Sequence, residues 1–210
     1  MSLSIVAPLV AVEEPLVRFA AEARLPSRFG EYHVVAFDSV DGKEHAAILK
    51  GDVRGADDVP LRVHSECFTG DVMGSLKCDC RDQLEAALTY IASVERGAVL
   101  YLRQEGRGIG LANKIRAYAL QEKGFDTVEA NEALGFEADS RDYRVGVQIL
   151  RDLGVKSTRL LSNNPLKLSG VTGDGLSVTE RLPIEIPASA WNGQYLKTKK
   201  EKLGHQLTML

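Results

Sequence analysis

Between residues 60 and 161 short apolar stretches alternate with stretches of helical spacing, and no other feature of the sequence constrains the fold as tightly. From Asp82, Leu84, Leu88, Ile91 and Val94 fall three or four apart before Gly97 stops the run, which predicts a helix. A buried strand is expected over 98–102. A glycine-rich turn, Gly106-Arg107-Gly108-Ile109-Gly110, leads into a second helical stretch with Leu111, Ile115, Tyr118 and Leu120 on one side, ending near Gly124. A third helix is expected to open at Asp139 or Ser140, to carry Tyr143, Val147, Leu150 and Leu153 inward, and to end at Gly154, before a strand over 158–161. Upstream, 32–37, 45–50 and 60–64 read as strands separated by turn-rich segments. Downstream, 170–175 reads as a loop, 176–186 as extended chain, and the Lys-rich stretch 197–202 as a solvated helix. The expected class is α/β, a mixed, largely parallel sheet flanked by helices, with ligands at the carboxyl ends of its strands.

The chain has 210 residues, 44% hydrophobic and 26% charged, which suits one or two globular domains and excludes disordered, collagenous and coiled-coil classes. A formal net charge of −3, from 26 basic and 29 acidic residues, argues against a coat for nucleic acid or an anionic membrane while leaving room for a local basic pocket. The apolar run at 5–12 does not read as a signal peptide, because no Lys or Arg precedes it, Pro8 interrupts it, and Glu13 and Glu14 follow. A membrane span needs about 20 apolar residues, and no window supplies them. A soluble, cytoplasmic protein is expected.

The three cysteines, Cys67, Cys78 and Cys80, are crowded into fourteen residues, an odd number that builds no disulfide framework. Soft thiolates in a reducing compartment select zinc over magnesium or calcium. On spacing alone two metal readings stay open. A structural site would be closed by a fourth ligand, with His64 the nearest candidate; a catalytic site would keep one position for water or substrate. Reduced thiols without a metal are the third reading. Glu66, beside the first thiol, is either a proton shuttle or an exposed carboxylate at a strand end.

Several places could hold an anion. The segment 103–110, Arg-Gln-Glu-Gly-Arg-Gly-Ile-Gly, joins a predicted strand to a predicted helix, and its glycines permit close backbone approach. It is no Walker A sequence, and Leu111 stands where a dinucleotide fingerprint would end in glycine or alanine. Arg141 is expected in the first turn of the third helix, where a cation opposes the helix dipole unless an anion intervenes. Ser162-Asn163-Asn164-Pro165-Leu166-Lys167 follows a strand and offers a hydroxyl, two amides and an ammonium. With Arg62 close to the thiols, these suit a polyanion, and the combination points to a metal-assisted hydrolase acting on a nucleotide. Periodicity and charge do not identify the base.

Longer motifs carry a resemblance. Residues 62–71 (Arg-Val-His-Ser-Glu-Cys-Phe-Thr-Gly-Asp), 75–80 (Ser-Leu-Lys-Cys-Asp-Cys) and Gln83-Leu84 closely resemble the signature of GTP cyclohydrolase II. The resemblance continues through 103–107, 126–131, 134–136, 138–143 and 162–165 to 199–207. It covers roughly 22–207 and implies a catalytic domain over 22–210 with that family's fold, leaving 1–21 as an N-terminal extension to which no role is assigned. That extension is too short for the dihydroxybutanone phosphate synthase domain some members carry, so a stand-alone, monofunctional form is expected.

The resemblance implies the first committed step of riboflavin synthesis, in which GTP loses pyrophosphate and C8 as formate. It implies zinc on Cys67, Cys78 and Cys80, magnesium with the phosphates, and a homodimer. Arg62, Val63, His64, Ser65, Glu66, Gln83, Glu105, Gly106, Arg107, Thr127, Ser162 and Lys167 would contact GTP. Tyr118 resembles the tyrosine assigned to the C8 chemistry, where its phenol can donate to a developing charge. Asp139 and Arg141 resemble the family's proposed proton acceptor and nucleophile toward the α-phosphorus. A guanidinium with a pKa above about 12 is a poor nucleophile, whereas stabilising departing pyrophosphate requires no deprotonation. Arg81 departs from the usual glycine after the Cys-x-Cys pair, and would either alter the backbone there or add a phosphate contact. Two rivals remain: a paralogue that keeps the formyl group or serves uracil breakdown or specialised metabolism, and a structural-zinc module binding RNA. The RNA reading calls for a basic balance and stacking aromatics, but only 6% of residues are aromatic and the net charge is negative.

Overall fold

The computed structural model describes residues 14–173 and 175–209. The apolar run at 5–12 lies outside the described residues. β1 (Val17–Ser27) turns at Arg28-Phe29 into the antiparallel β2 (Gly30–Ser39), and β3 (Glu44–Lys50) continues the meander. β1 runs through residues 21 and 22, so the chain on both sides of that point belongs to one strand. β4 (Val59–Ser65), β5 (Gly97–Leu102), β6 (Ser157–Leu161) and β7 (Ser177–Leu182) complete a seven-stranded sheet in the order β1-β2-β3-β5-β4-β6-β7. β5, β4, β6 and β7 run parallel, while β3 meets β5 antiparallel. The parallel half is where strands and helices alternate in sequence, because a parallel return needs a crossover and a helix supplies it.

Two helical layers cover the sheet. α1 (Cys80–Ser93) packs Ala87 and Ile91 onto Val99, Tyr32 and Leu161 on one face. On the other, Ile149 and Leu150 of α4 (Arg144–Asp152) and Val171 of α5 (Pro165–Val171) meet Leu61, Leu100, Leu102 and Leu160. β5 alternates between these layers yet is buried almost throughout, as a central parallel strand with both faces covered should be. β4 is just as buried but carries Arg62 and His64. Polar side chains in a covered strand need partners, and theirs are the first structural sign of a site.

Several expectations need correction. α1 opens at Cys80, two residues before Asp82. α2 (Gly110–Gln121) buries Ala117, whereas Leu111 and Ile115 are exposed, so the apolar side read from the sequence does not face the core. A capping box at Asp126 and Glu129 starts a short α3 (Thr127–Ala133) that apolar spacing had not revealed. α4 begins at Arg144, which leaves Arg141 in the preceding loop and removes the helix-dipole argument for an anion there. Asn164 caps α5 over residues partly read as loop. α6 (Gly193–Glu201) is not wholly solvated, since Lys199 is buried.

Leu100 lies at the centre of the larger core and is completely buried. Leu100→Ala is expected to lower the unfolding free energy by about 2–5 kcal/mol, read from urea denaturation, and an unchanged midpoint would contradict this packing.

Candidate functional site

After β4 the chain makes a single π-helical turn, Phe68–Val72, and returns at Cys78, with Cys80 starting α1. The three sulfurs lie within 4.8 Å of one another, Cys67 and Cys78 at 3.7 Å. Gly70 makes the convergence possible. A Cβ there would stand 2.8 Å from Cys78 Sγ and 3.0 Å from both Cys67 Sγ and Cys80 Cβ, closer than side chains approach. Among the described residues no His, Asp or Glu joins the cluster. His64, the candidate fourth ligand, instead turns its Nε2 to Asp71 at 3.0 Å and stacks on Tyr101.

Buried polar groups brace this loop. Asp71 accepts from Cys67 N–H at 3.0 Å and from the Tyr101 hydroxyl at 2.9 Å as well as facing His64. Lys114 of α2 donates to Cys67 Sγ at 3.0 Å and to Glu105 Oε1 at 2.8 Å, and Glu105 also accepts from Phe68 N–H. Burial works against the Lys114 charge, but Cys67 and Glu105 outweigh it and raise its pKa. Asp79, between two of the cysteines, accepts from Lys199 at 2.8 Å and from Gln83. Burial opposes its ionisation, yet Lys199 and Gln83 hold it below the usual carboxylate range. Arg81 settles between its two expected roles: it donates to the carbonyls of Asp71 and Val72 at 3.1–3.2 Å and does not line the cavity.

The thiols do not ionise alike. Hydrogen bonds from Cys78 and Cys80, aided by Lys114, bring the Cys67 pKa down. Its bond to Cys67 pushes Cys78 up to about 11, and Cys80 is raised by both neighbours. Three thiols this close resist common ionisation unless a cation sits among them, and their donor set fits a soft metal ion.

From the cysteines a cleft of about 1120 Å³, counted out to its open mouth, extends over the carboxyl ends of β4, β5 and β6. Arg62, His64, Ser65, Glu66, Gln83, Glu105, Gly106, Arg107, Tyr118, Thr127, Arg141, Ser162 and Lys167 all line it. Val63 does not: its side chain is in the core, and its carbonyl accepts from Lys167 Nζ at 2.8 Å. Asp139 stands behind Arg141, which it grips with both oxygens. Burial disfavours the guanidinium charge, but Asp139 overrides this and holds Arg141 above its ordinary pKa. Arg62 donates to Leu161 O at 2.9 Å and to Gln83, and burial brings its pKa down to about 10. Burial, then Arg62, Arg141 and Lys199, press the Lys167 pKa well below its usual value. Arg107 takes a left-handed backbone, φ 61°, rare for a side-chain-bearing residue and typical of a constrained site. Tyr118 places its hydroxyl 3.3 Å from Thr69 Oγ1, beside the thiols. Glu66 is ion-paired with Arg103 at 2.8 Å.

A family model for GTP cyclohydrolase II matches residues 18–183. The chain belongs to the GTP cyclohydrolase II family. It is 57% identical over 197 residues to riboflavin biosynthesis protein RibBA of Bacillus cereus, covering 93% of this chain and 50% of that one. RibBA of Bacillus mycoides is 56% identical over the same length and shares. The chain thus spans about half the length of the curated relatives it matches. A solved two-domain 3,4-dihydroxy-2-butanone 4-phosphate synthase, RibBX of A. baumannii, aligns at TM-score 0.44 and 20% identity over 83% of this chain and 42% of that one.

Lys114, Asp71, Asp79, Tyr195, Lys199 and His205 were given no role by sequence reasoning. Lone lysines on helices read as solvated, and only the tertiary fold sets Lys114 against Cys67 or Lys199 against Asp79. Gly70→Ala is expected to abolish stoichiometric metal content, measured by elemental analysis of folded protein, whereas full metal content would refute the role given to Gly70. Asp71→Asn should weaken metal affinity about 10–100-fold in chelator competition, as losses of groups behind metal ligands do.

Proposed function

We propose that this chain is a zinc-dependent hydrolase that opens the imidazole ring of GTP, releasing C8 as formate together with pyrophosphate. The product left is 2,5-diamino-6-(5-phosphoribosylamino)pyrimidin-4(3H)-one. The observation that carries this reading is one cavity shared by three converging thiols and by Arg62, Arg107, Arg141 and Lys167. Soft metal donors at one end and cations at the other suit a substrate with a hydrolysable base and a polyphosphate. Membership of the family and likeness to RibBA support GTP as that substrate and riboflavin synthesis as the destination.

Zinc on Cys67, Cys78 and Cys80 would supply Lewis acidity and an activated water at neutral pH. The chain's own groups do the rest. Burial raises the Tyr118 pKa, so its phenol stays protonated and can donate to charge developing on the opening ring. Glu66, anchored by Arg103 at the cavity wall, is placed to take or return a proton. Arg141, kept charged by Asp139, neutralises the departing pyrophosphate. Its raised pKa argues against attack by the guanidinium, and the lowered pKa of Asp139 fits an orienting ion better than a proton acceptor. Arg107, Ser162 and Lys167 hold the phosphates, and magnesium bound with the substrate would neutralise part of their charge. Gln83, Glu105 and Thr127 line the remaining wall against the nucleoside.

We also propose a homodimer. β1 is an edge strand exposed from Arg18 to Ser27, with Phe19 at its surface, and such an edge favours pairing with a second copy. Among the described residues no helix is long and apolar enough to cross a membrane. The three free thiols suit a reducing compartment such as the cytoplasm.

Zinc-loaded protein incubated with GTP and magnesium should yield formate, pyrophosphate and the pyrimidine in equal amounts. Pyrophosphate with a formamidopyrimidine and no formate would overturn complete ring opening. Arg141→Ala should cost roughly 10²–10³-fold in kcat for pyrophosphate release. Arg141→Lys should retain a substantial part of it with no covalent guanylyl adduct, and a trapped adduct in the wild type would restore the nucleophile.

A further inference from the structure

The proposed reaction leaves one wall of the cavity without a task. α6 and the chain beyond it contribute Tyr195, Lys199, His205 and Leu207 to the lining of the cleft. This wall lies past residue 183, where the family match ends. It is tied down along its length. Lys199 holds Asp79 in the metal loop at 2.8 Å, and Lys202 pairs with Asp126 and with Glu129 at the start of α3. Gly204 then takes φ 66°, which lets the chain reverse so that His205 N–H donates to Lys199 O at 3.0 Å. Gln206 N–H donates to Asn163 O at 2.9 Å, and the Thr208 and Met209 amides bond Glu185 at 2.9 and 3.0 Å.

These anchors fix the backbone of His205 and leave its imidazole unused. Among the described residues the ring has no hydrogen-bond partner, although it faces the cleft. The charged groups acting on it most strongly come from four separate parts of the fold: Lys199 on α6, Lys167 on α5, Arg141 in the loop before α4, and Arg107 in the glycine turn. All four are cations. Burial first, and then these cations, push the His205 pKa down to about 3, so the ring is neutral with one N–H to give. Lys199 and Arg107 also share the ring of Tyr195, at 4.7 and 5.7 Å from its centre. A donor without a partner amid four converging cations is arranged for an anionic oxygen.

We propose that His205 is a direct contact of the bound polyphosphate, and that the C-terminal wall 193–209 presents it. This rests on the reading of the cleft as a site for a nucleoside triphosphate. His205 hydrogen-bonds a phosphate oxygen, while Lys199 and Asp79 tie the same wall to the metal loop. The polyphosphate end and the metal end of the site are thereby coupled through one helix.

Calorimetric titration of the zinc-loaded full chain with inorganic tripolyphosphate, and separately with guanosine, tests this without turnover. His205→Ala and His205→Phe should each weaken tripolyphosphate about tenfold or more, as loss of a hydrogen bond to a charged group does, and leave guanosine unchanged. His205→Gln, which keeps a donor, should recover part of the loss. Phenylalanine preserves the ring's bulk, so it decides the matter should the alanine variant fail to fold. Unaltered tripolyphosphate binding in the variants, equal weakening of both ligands, or no binding by the wild type would overturn the proposal. Wild-type protein that showed the expected pattern but converted no GTP would sink the reaction and leave the His205 contact standing.

Discussion

The parallel register of β5, β4 and β6 is the constraint from which the rest follows. Leu61 pairs with Ala98 and Ser65 with Leu102 on one side of β4, and Val59 to Leu61 pair with Thr158 to Leu160 on the other. Parallel neighbours in register end together, so the loops leaving them must share one edge of the sheet. The metal loop, the glycine turn and the segment 162–167 leave those three strands. Residues separated by a hundred positions in sequence, such as Val63 and Lys167, meet there at 2.8 Å.

The same arrangement accounts for the buried charge that would otherwise destabilise the fold. An unpaired ion in a covered strand or loop costs several kcal/mol, of order, so each must find a partner. Asp71 serves His64 and Tyr101, Lys114 serves Cys67 and Glu105, and Lys199 serves Asp79. These pairs link the thiol loop to β5, to α2 and to α6, so the position of the sulfurs is set by three elements at once. Arg62 and Lys167 on the far side hydrogen-bond carbonyl oxygens rather than a carboxylate, and burial lowers their pKa values.

Much of this was legible in the sequence because local chemistry and topology agreed. The alternation around β4, β5 and β6 gave the parallel half, and the long motifs gave the family. What escaped had tertiary causes. Leu111 and Ile115 sit at helical spacing but face solvent, since α2 turns its small Ala117 inward so that Lys114 and Tyr118 can reach the cleft. Arg141 was expected on a helix, yet the bond of Arg107 O with Ser140 N–H at 3.1 Å holds that stretch against the glycine turn. The C-terminal stretch looked solvated because Lys199 is one of several lysines there, and nothing local separates it from its neighbours.

The proposed zinc site has three cysteines and, among the described residues, no other protein group to hold the metal at the end of the cleft assigned to the base. X-ray absorption at the zinc edge of the loaded protein tests it most directly. Three sulfur neighbours at about 2.3 Å and one light neighbour without the outer-shell pattern of an imidazole are expected. An imidazole pattern would mean that histidine closes the site, and would contradict a metal held by the three thiolates alone.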